Sequence, residues 1–166
     1  MPPLPNRDNT KIIVCCHKEC VLPDDTMLLP IEVGASLHHG RLRMQADDRV
    51  GDEACENISE KNHSFCEMTA VYWAWKHLRQ VCPSTEFVGI NHYRRYFDFG
   101  HVSPMQLDVV VSEEELQRYR VDAQRLNRIL RKKDVVVARP LHCGMSVFDQ
   151  YSRRHVSDDM RTTIEV

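Results

Sequence analysis

Residues 87–99 read FVGINHYRRYFDF, and the way this run divides decides the fold. Phe87 to Ile90 is a short apolar segment with aromatic and β-branched residues, preceded by Pro83-Ser84, the pattern of a buried strand. Asn91, His92, Tyr93, Arg94, Arg95 and Tyr96 follow at once, a dense group of donors, fixed positive charge and rings. Ligands of an open α/β sheet bind beyond the carboxyl ends of its strands, so a site is expected at this transition. Two adjacent arginines cannot both enter a core, because an unpaired buried charge is too costly. Either they are solvated or paired with a local acid such as Asp98, or they clamp a phosphate or diphosphate, whose oxygens match the guanidinium fork.

Working towards the N-terminus, Lys11–Cys16 reads KIIVCC, apolar without alternation and so expected as a strand buried on both faces. It runs into His17-Lys18-Glu19, which places His17 and Lys18 on the ligand side of the sheet. A short strand is expected around Pro30–Val33, within otherwise irregular chain, and Asp47-Asp48 is expected to be solvated. The spacing then predicts one long helix over Asn57–Cys82, with Asn57 as N-cap and Glu60 in the capping-box position. Met68, Val71, Tyr72, Trp75, Leu78 and Cys82 recur at helical spacing, which puts Trp75 in the core. Cys66, Ala70 and Trp73 form a second apolar face. The first turn, Ser59-Glu60-Lys61-Asn62, offers free backbone N–H groups and is a candidate anion site.

Towards the C-terminus, Leu107–Val111 is expected as a short strand. Ser112 is expected to cap a helix with Glu115 in the capping-box position and an apolar stripe of Leu116, Tyr119, Ala123, Leu126 and Leu130. Asp134–Ala138, DVVVA, is expected as a third apolar strand. Strands alternating with helices define an α/β domain. No Gly-x-Gly-x-x-Gly and no Walker loop accompanies it.

Composition narrows the function classes. The 166 residues suffice for one domain with a real core, and 42% hydrophobic with 28% charged residues is ordinary for a globular chain. A net charge of −2 argues against a general nucleic-acid binder. No apolar run approaches the ~20 residues that span a bilayer. Residues 1–10, MPPLPNRDNT, lack a secretory apolar core and are expected as a flexible, exposed tail before a single α/β domain over 11–166. A cytoplasmic location follows as the expectation. The seven cysteines are then expected to be reduced. Cys16-His17-Cys20 lacks the second short-spaced pair that a structural zinc site needs, so no zinc is expected.

Taken together, KIIVCCHK, the segment NISEKNHSFCEMTAVYWAWKHL and FVGINHYRRYFDF resemble a family of bacterial capsular, exopolysaccharide and lipopolysaccharide glycosyltransferases long catalogued as a domain of unknown function. Asn57 to Asn62, Cys66-Glu67, Tyr72-Trp73-Ala74-Trp75-Lys76 and His92-Tyr93-Arg94-Arg95-Tyr96-Phe97 stand in register with that family's pattern. Phe65 in place of Tyr, and Asn91 before His92, depart from it. The resemblance covers the chain from about Lys11 to its end.

The resemblance implies a Rossmann-like, GT-A-type sheet that binds a nucleotide sugar, flanked by helices and incomplete on its C-terminal side, because family members continue further. It implies a glycosyltransferase acting in surface-polysaccharide biosynthesis. Its partners would be a nucleotide-sugar donor and a glycan or lipid-linked glycan acceptor. Its place would be cytoplasmic or peripheral at the inner membrane face. The alternative is a truncated, non-catalytic nucleotide-sugar-binding remnant of the same fold. His17, Lys18, Lys61, Asn62, His92, Tyr93, Arg94 and Arg95 are the donor-binding candidates, with no catalytic residue assigned. Such enzymes commonly carry Asp-x-Asp for a divalent metal at the place where this chain has His92-Tyr93-Arg94-Arg95. Arginine charge is therefore expected to replace the metal, with no cofactor required, and His92 is the ligand to test should a divalent metal bind.

Overall fold

The computed structural model describes residues 3–99, 112–138 and 144–153. The chain forms two compact units, Met1–Val136 and Val137–Val166. In the first, β1 (Thr10–Cys16) and β2 (Leu28–Glu32) lead to three two-residue strands, β3 (Gln45–Ala46), β4 (Arg49–Val50) and β5 (Glu53–Ala54). A 3-10 turn, Ser59–Lys61, precedes α1 (Asn62–Phe65) and α2 (Met68–Val81). Then come β6 (Phe87–His92), α3 (Glu113–Arg118) and α4 (Ala123–Leu130). In the second unit α5 (Val147–Ser152) is capped by Ser146, whose Oγ accepts from the Asp149 amide at 3.1 Å.

The main sheet has the order β3-β2-β1-β6, and every pairing in it is parallel. β1 is central and buried on both faces, as its unbroken apolar run requires. Ile12, Val14 and Cys16 pack with Met27, Leu28, Tyr93, Val121 and Leu126 on one face. Ile13 and Cys15 pack with Ile31, Val33, Ala70, Trp73 and Leu78 on the other. The strand expected around Pro30–Val33 is β2, displaced slightly towards the N-terminus.

Several expectations need correction. The segment Asn57–Cys82 is not one helix. Asn57 Oδ1 accepts from the Ser59 amide at 3.0 Å, a local turn in place of a helix cap. The chain then breaks at Cys66, whose φ of 46° lies outside helical space. The buried face of α2 is Thr69, Ala70, Trp73, His77 and Leu78. Trp73 is 0% exposed, whereas Trp75 is 74% exposed, so the expected phase of this helix is reversed. β6 is half-buried rather than fully buried: Val88 and Ile90 are exposed along it, because among the described residues β6 has a neighbour on one side only.

Asp134–Ala138 forms no strand, and Val135 is exposed. The helix expected from Ser112 has its capping box but ends at Arg118. A second helix starts behind the Asp122 cap, because the Val121 amide turns inward to donate to Asp25 Oδ2 at 2.8 Å. The strand expected over Leu107–Val111 lies outside the described residues. Before β1, Pro5 is buried and Asn9 donates to the Leu4 carbonyl and to Glu86. The exposure expected of the first ten residues therefore does not extend to Pro5, Asn9 or Thr10, the last of which begins β1.

Asp25 holds this side of the unit together. Its carboxylate accepts from the amides of Met27 and Val121, each at 2.8 Å, and from Arg7 Nη1 at 2.8 Å. Burial pushes the Asp25 carboxyl up, but the two backbone donors and the Arg7 guanidinium outweigh it and hold the group below its ordinary value. A carboxyl lowered by folding contributes stability that is present above its unfolded pKa and is lost as pH falls through the folded one. Urea midpoints should therefore fall as pH drops below about 4, and Asp25→Asn should flatten that acid limb. An unchanged limb in the variant would remove Asp25 from the cause.

Candidate strand-end site

The three longest parallel strands deliver their carboxyl ends to one cavity. From β1 come Cys15 and His17, from the end of β2 comes Val33, and from β6 comes His92. The fourth wall is the junction of α1 and α2, which supplies Asn62, Cys66 and Glu67. The volume is about 230 Å³. This is where an open α/β sheet places its ligands.

The junction wall is built by hydrogen bonds within the chain. Asn62 Nδ2 donates to the Cys66 carbonyl at 2.8 Å and to Thr69 Oγ1 at 3.1 Å, which stabilises the break between the helices. Gly34, just past β2, has φ +67° and lies so close to Asn62 that an added Cβ would stand 2.9 Å from it. A glycine is needed there for both reasons. Asp47 fixes this corner. It is fully buried, and it accepts from the amides of Gly34 (2.8 Å) and Ala35 (3.1 Å) and from the Ser59 hydroxyl (2.6 Å). The expectation that Asp47 is solvated is thus corrected. So is the anion site expected at Ser59–Asn62: the Ser59 hydroxyl is committed to Asp47, and a helix of four residues follows.

Tyr93 organises the other side. Its ring is buried in the core, 4.4 Å from the His92 ring and 5.1 Å, edge-on, from the His17 ring. Lys18 Nζ lies 5.8 Å from its centroid and Arg94 Cζ 5.3 Å, both within cation–π range. Two cations are thereby gathered beside two histidines. Arg94 and Arg95 are both exposed, and among the described residues no ion pair engages either guanidinium. The Arg95 amide donates to the His92 carbonyl at 2.8 Å, which closes the turn.

Of the expected site residues, His17, Asn62 and His92 line the cavity, while Lys18, Tyr93 and Arg94 cluster beside it. The structure leaves Lys61 exposed on the turn before α1 and Arg95 exposed, neither lining the cavity. Glu67 is a cavity residue for which the residues alone suggested no role; its Oε1 lies 3.8 Å from His92 Nε2. Only the break at Cys66 turns it inward, and a cysteine at positive φ leaves no signal in sequence.

Burial lowers the His92 pKa, Arg94 lowers it further, and Glu67 opposes both without prevailing. His17 is lowered by burial first, then by Lys18 and Arg94. Both imidazoles are therefore neutral near pH 7, each with one donor and one acceptor nitrogen. At 3.8 Å the His92–Glu67 contact is a loose polar one rather than an ion pair. Burial, with Glu67 and Asp47 behind it, pushes the Cys15 thiol up to about 12, so Cys15 is no nucleophile at neutral pH. Among the described residues no three His, Cys, Asp or Glu side chains are placed to share a metal ion.

The fold is thus a parallel α/β sheet with a cavity at its strand ends and two cations gathered beside it. The chain belongs to the family described as "Domain of unknown function (DUF4422)", which matches residues 11–166. A solved structure described as the apo form of WbbM, a bifunctional glycosyltransferase, has a similar fold, with a TM-score of 0.56 at 24% identity. The similarity covers 75% of this chain but 21% of that one. At this identity the likeness is one of fold. No curated protein matches. No helix among the described residues is long and apolar enough to cross a membrane.

Proposed function

We propose that this chain is the donor-binding part of a glycosyltransferase, moving a sugar from a nucleotide-sugar donor to a glycan or lipid-linked glycan acceptor. One observation carries the reading: Lys18 and Arg94 are held on the buried Tyr93 ring beside the strand-end cavity, as a diphosphate would require. The fold shared with a glycosyltransferase chain and the family membership support it. Transfer breaks the bond between the sugar's anomeric carbon and the diphosphate oxygen, and charge grows on the diphosphate as it leaves. Guanidinium groups placed to meet that charge stabilise it as a metal would. The donor sits with its diphosphate at Lys18, Arg94 and Arg95, at the strand ends of a GT-A-type sheet. Surface-polysaccharide assembly at the cytoplasmic side is the setting this reading implies.

Calorimetric titration with uridine and guanosine diphosphates, with and without chelator, tests this. Replacing Arg94 and Arg95 together by Ala should weaken binding about 10–100-fold, the low end for charge-assisted contacts because both residues are exposed. Lys in their place should recover only part, since a point charge loses the bidentate fork. Melting temperature should change little. Unchanged affinity in the folded double variant would end the clamp. Binding abolished by chelator would hand the role to a metal, with His92 the first ligand to replace.

A further inference from the structure

The charges around the cavity are segregated. Its one charged wall residue is an acid, Glu67, while the cations Lys18 and Arg94 do not line it and gather on Tyr93. The remaining polar walls are two imidazoles, neutral near pH 7, and Asn62, whose amide donors are committed within the chain. A phosphate in this cavity would face a carboxylate with no cation between them, and like charges disfavour that. A hydroxyl pair suits it, because a carboxylate has two acceptor oxygens and no donor. Among the described residues, the 3.8 Å approach to His92 Nε2 is the one polar contact of the Glu67 side chain. The volume of about 230 Å³ is below the roughly 300–1,000 Å³ of pockets that enclose a whole drug-sized ligand, and suits one ring.

We propose that the cavity takes the vicinal diol of an uncharged sugar ring, with Glu67 accepting both hydroxyls, while the phosphates remain outside at the cations. This rests on the donor-binding reading above. Two rings of a nucleotide sugar carry such a diol, the ribose and, in many donors, the transferred sugar. The assignment makes Glu67 a specificity residue, which selects donors by their hydroxyl pattern. Cys66, exposed on the cavity wall beside it, supplies a local reporter, since an occupied cavity must slow its alkylation.

The test uses the whole chain and Glu67→Gln, which leaves the backbone of the junction unchanged. Pyrophosphate should bind both alike. If the diol is the ribose, uridine and guanosine diphosphates should lose about tenfold in Glu67→Gln. Their 2′,3′-dideoxy counterparts should lose nothing further in the variant. If it is the transferred sugar, the dideoxy change should be silent, and the extra affinity of the uridine or guanosine diphosphate hexose should vanish in the variant. In either case the bound ligand should slow N-ethylmaleimide at Cys66 in the wild type. Tighter pyrophosphate binding by Glu67→Gln would put phosphate in the cavity and overturn the proposal, as would unchanged affinities for every ligand. If no nucleotide binds but a methyl hexoside at high concentration slows Cys66 alkylation in the wild type and not in the variant, the diol site stands and the donor reading falls. If neither slows it, both fall.

Discussion

Trp73→Ala should unfold or nearly unfold this protein, while Trp75→Ala should leave it close to wild type. The Trp73 indole is fully buried against Ile13, Ile31 and Leu78 in one core cluster, and its Nε1 donates to the Arg49 carbonyl at 2.6 Å. The Arg49 carbonyl keeps Gln45 Nε2 as a donor at 2.6 Å, but truncation opens a large cavity, at a cost of about 3–5 kcal/mol. That is a large part of the roughly 5–15 kcal/mol that holds a typical domain. Trp75 is on the outer side of α2, with the Tyr72 ring 5.7 Å away and Lys76 Nζ 4.6 Å from its centroid. Losing those exposed contacts should cost about 1 kcal/mol or less. Urea unfolding of both variants separates the two phases of the helix. A stable Trp73→Ala alongside a collapsed Trp75→Ala would place the core on the other face.

The two tryptophans show where sequence is a poor guide. Met68, Val71, Tyr72, Trp75 and Leu78 make a more apolar stripe than the face that is buried, Thr69, Ala70, Trp73, His77 and Leu78. Hydropathy prefers the first. The second succeeds because its polar members have partners. Thr69 Oγ1 donates to the Cys66 carbonyl, and His77 Nε2 is 2.8 Å from the Glu56 carbonyl. Buried polar groups are tolerated when paired, and those partners come from tertiary placement that no periodicity reveals. β1 was legible for the opposite reason: after Lys11, the run IIVCC has no charged residue within it to mislead.

Half of the site was legible on the same grounds. His17, Lys18 and His92 follow apolar strands directly, so the rule that ligands meet strand ends located them without knowledge of packing. Tyr93 sits with them but contributes from inside, as the ring that Lys18 and Arg94 share. Glu67 and Val33 reach the cavity only through the kink at Cys66 and the left-handed turn at Gly34. The Gly34 conformation depends on Asp47, a residue whose neighbour in sequence, Asp48, pairs with Arg41 and Arg49 nearer the surface. An Asp-Asp pair with one member inside and one outside cannot be sorted by composition.

Asp47→Ala should cost about 3–5 kcal/mol, since each buried donor left without a partner costs roughly 1–3 kcal/mol and three are orphaned together. The Gly34 and Ala35 amides and the Ser59 hydroxyl all converge on this one carboxyl group. Its own amide donates to the Glu32 carbonyl at 2.9 Å, so the group is fixed to the end of β2 from both sides. Asp47→Asn keeps one acceptor oxygen but turns an amide N–H₂ towards donors, and should lose less, about 1–3 kcal/mol. The two carboxyl oxygens connect the strand-end turn after Val33 to the segment that leads into Asn62 and Glu67. The Asn variant, where it remains folded, should therefore loosen the cavity walls. Cys66 should then be alkylated faster, while pyrophosphate binding at Lys18 and Arg94 is retained. Melting curves and Cys66 alkylation rates on the same samples decide the matter. An Asp47→Ala protein that melts with the wild type would show that the three donors find other partners, and that this corner does not depend on Asp47.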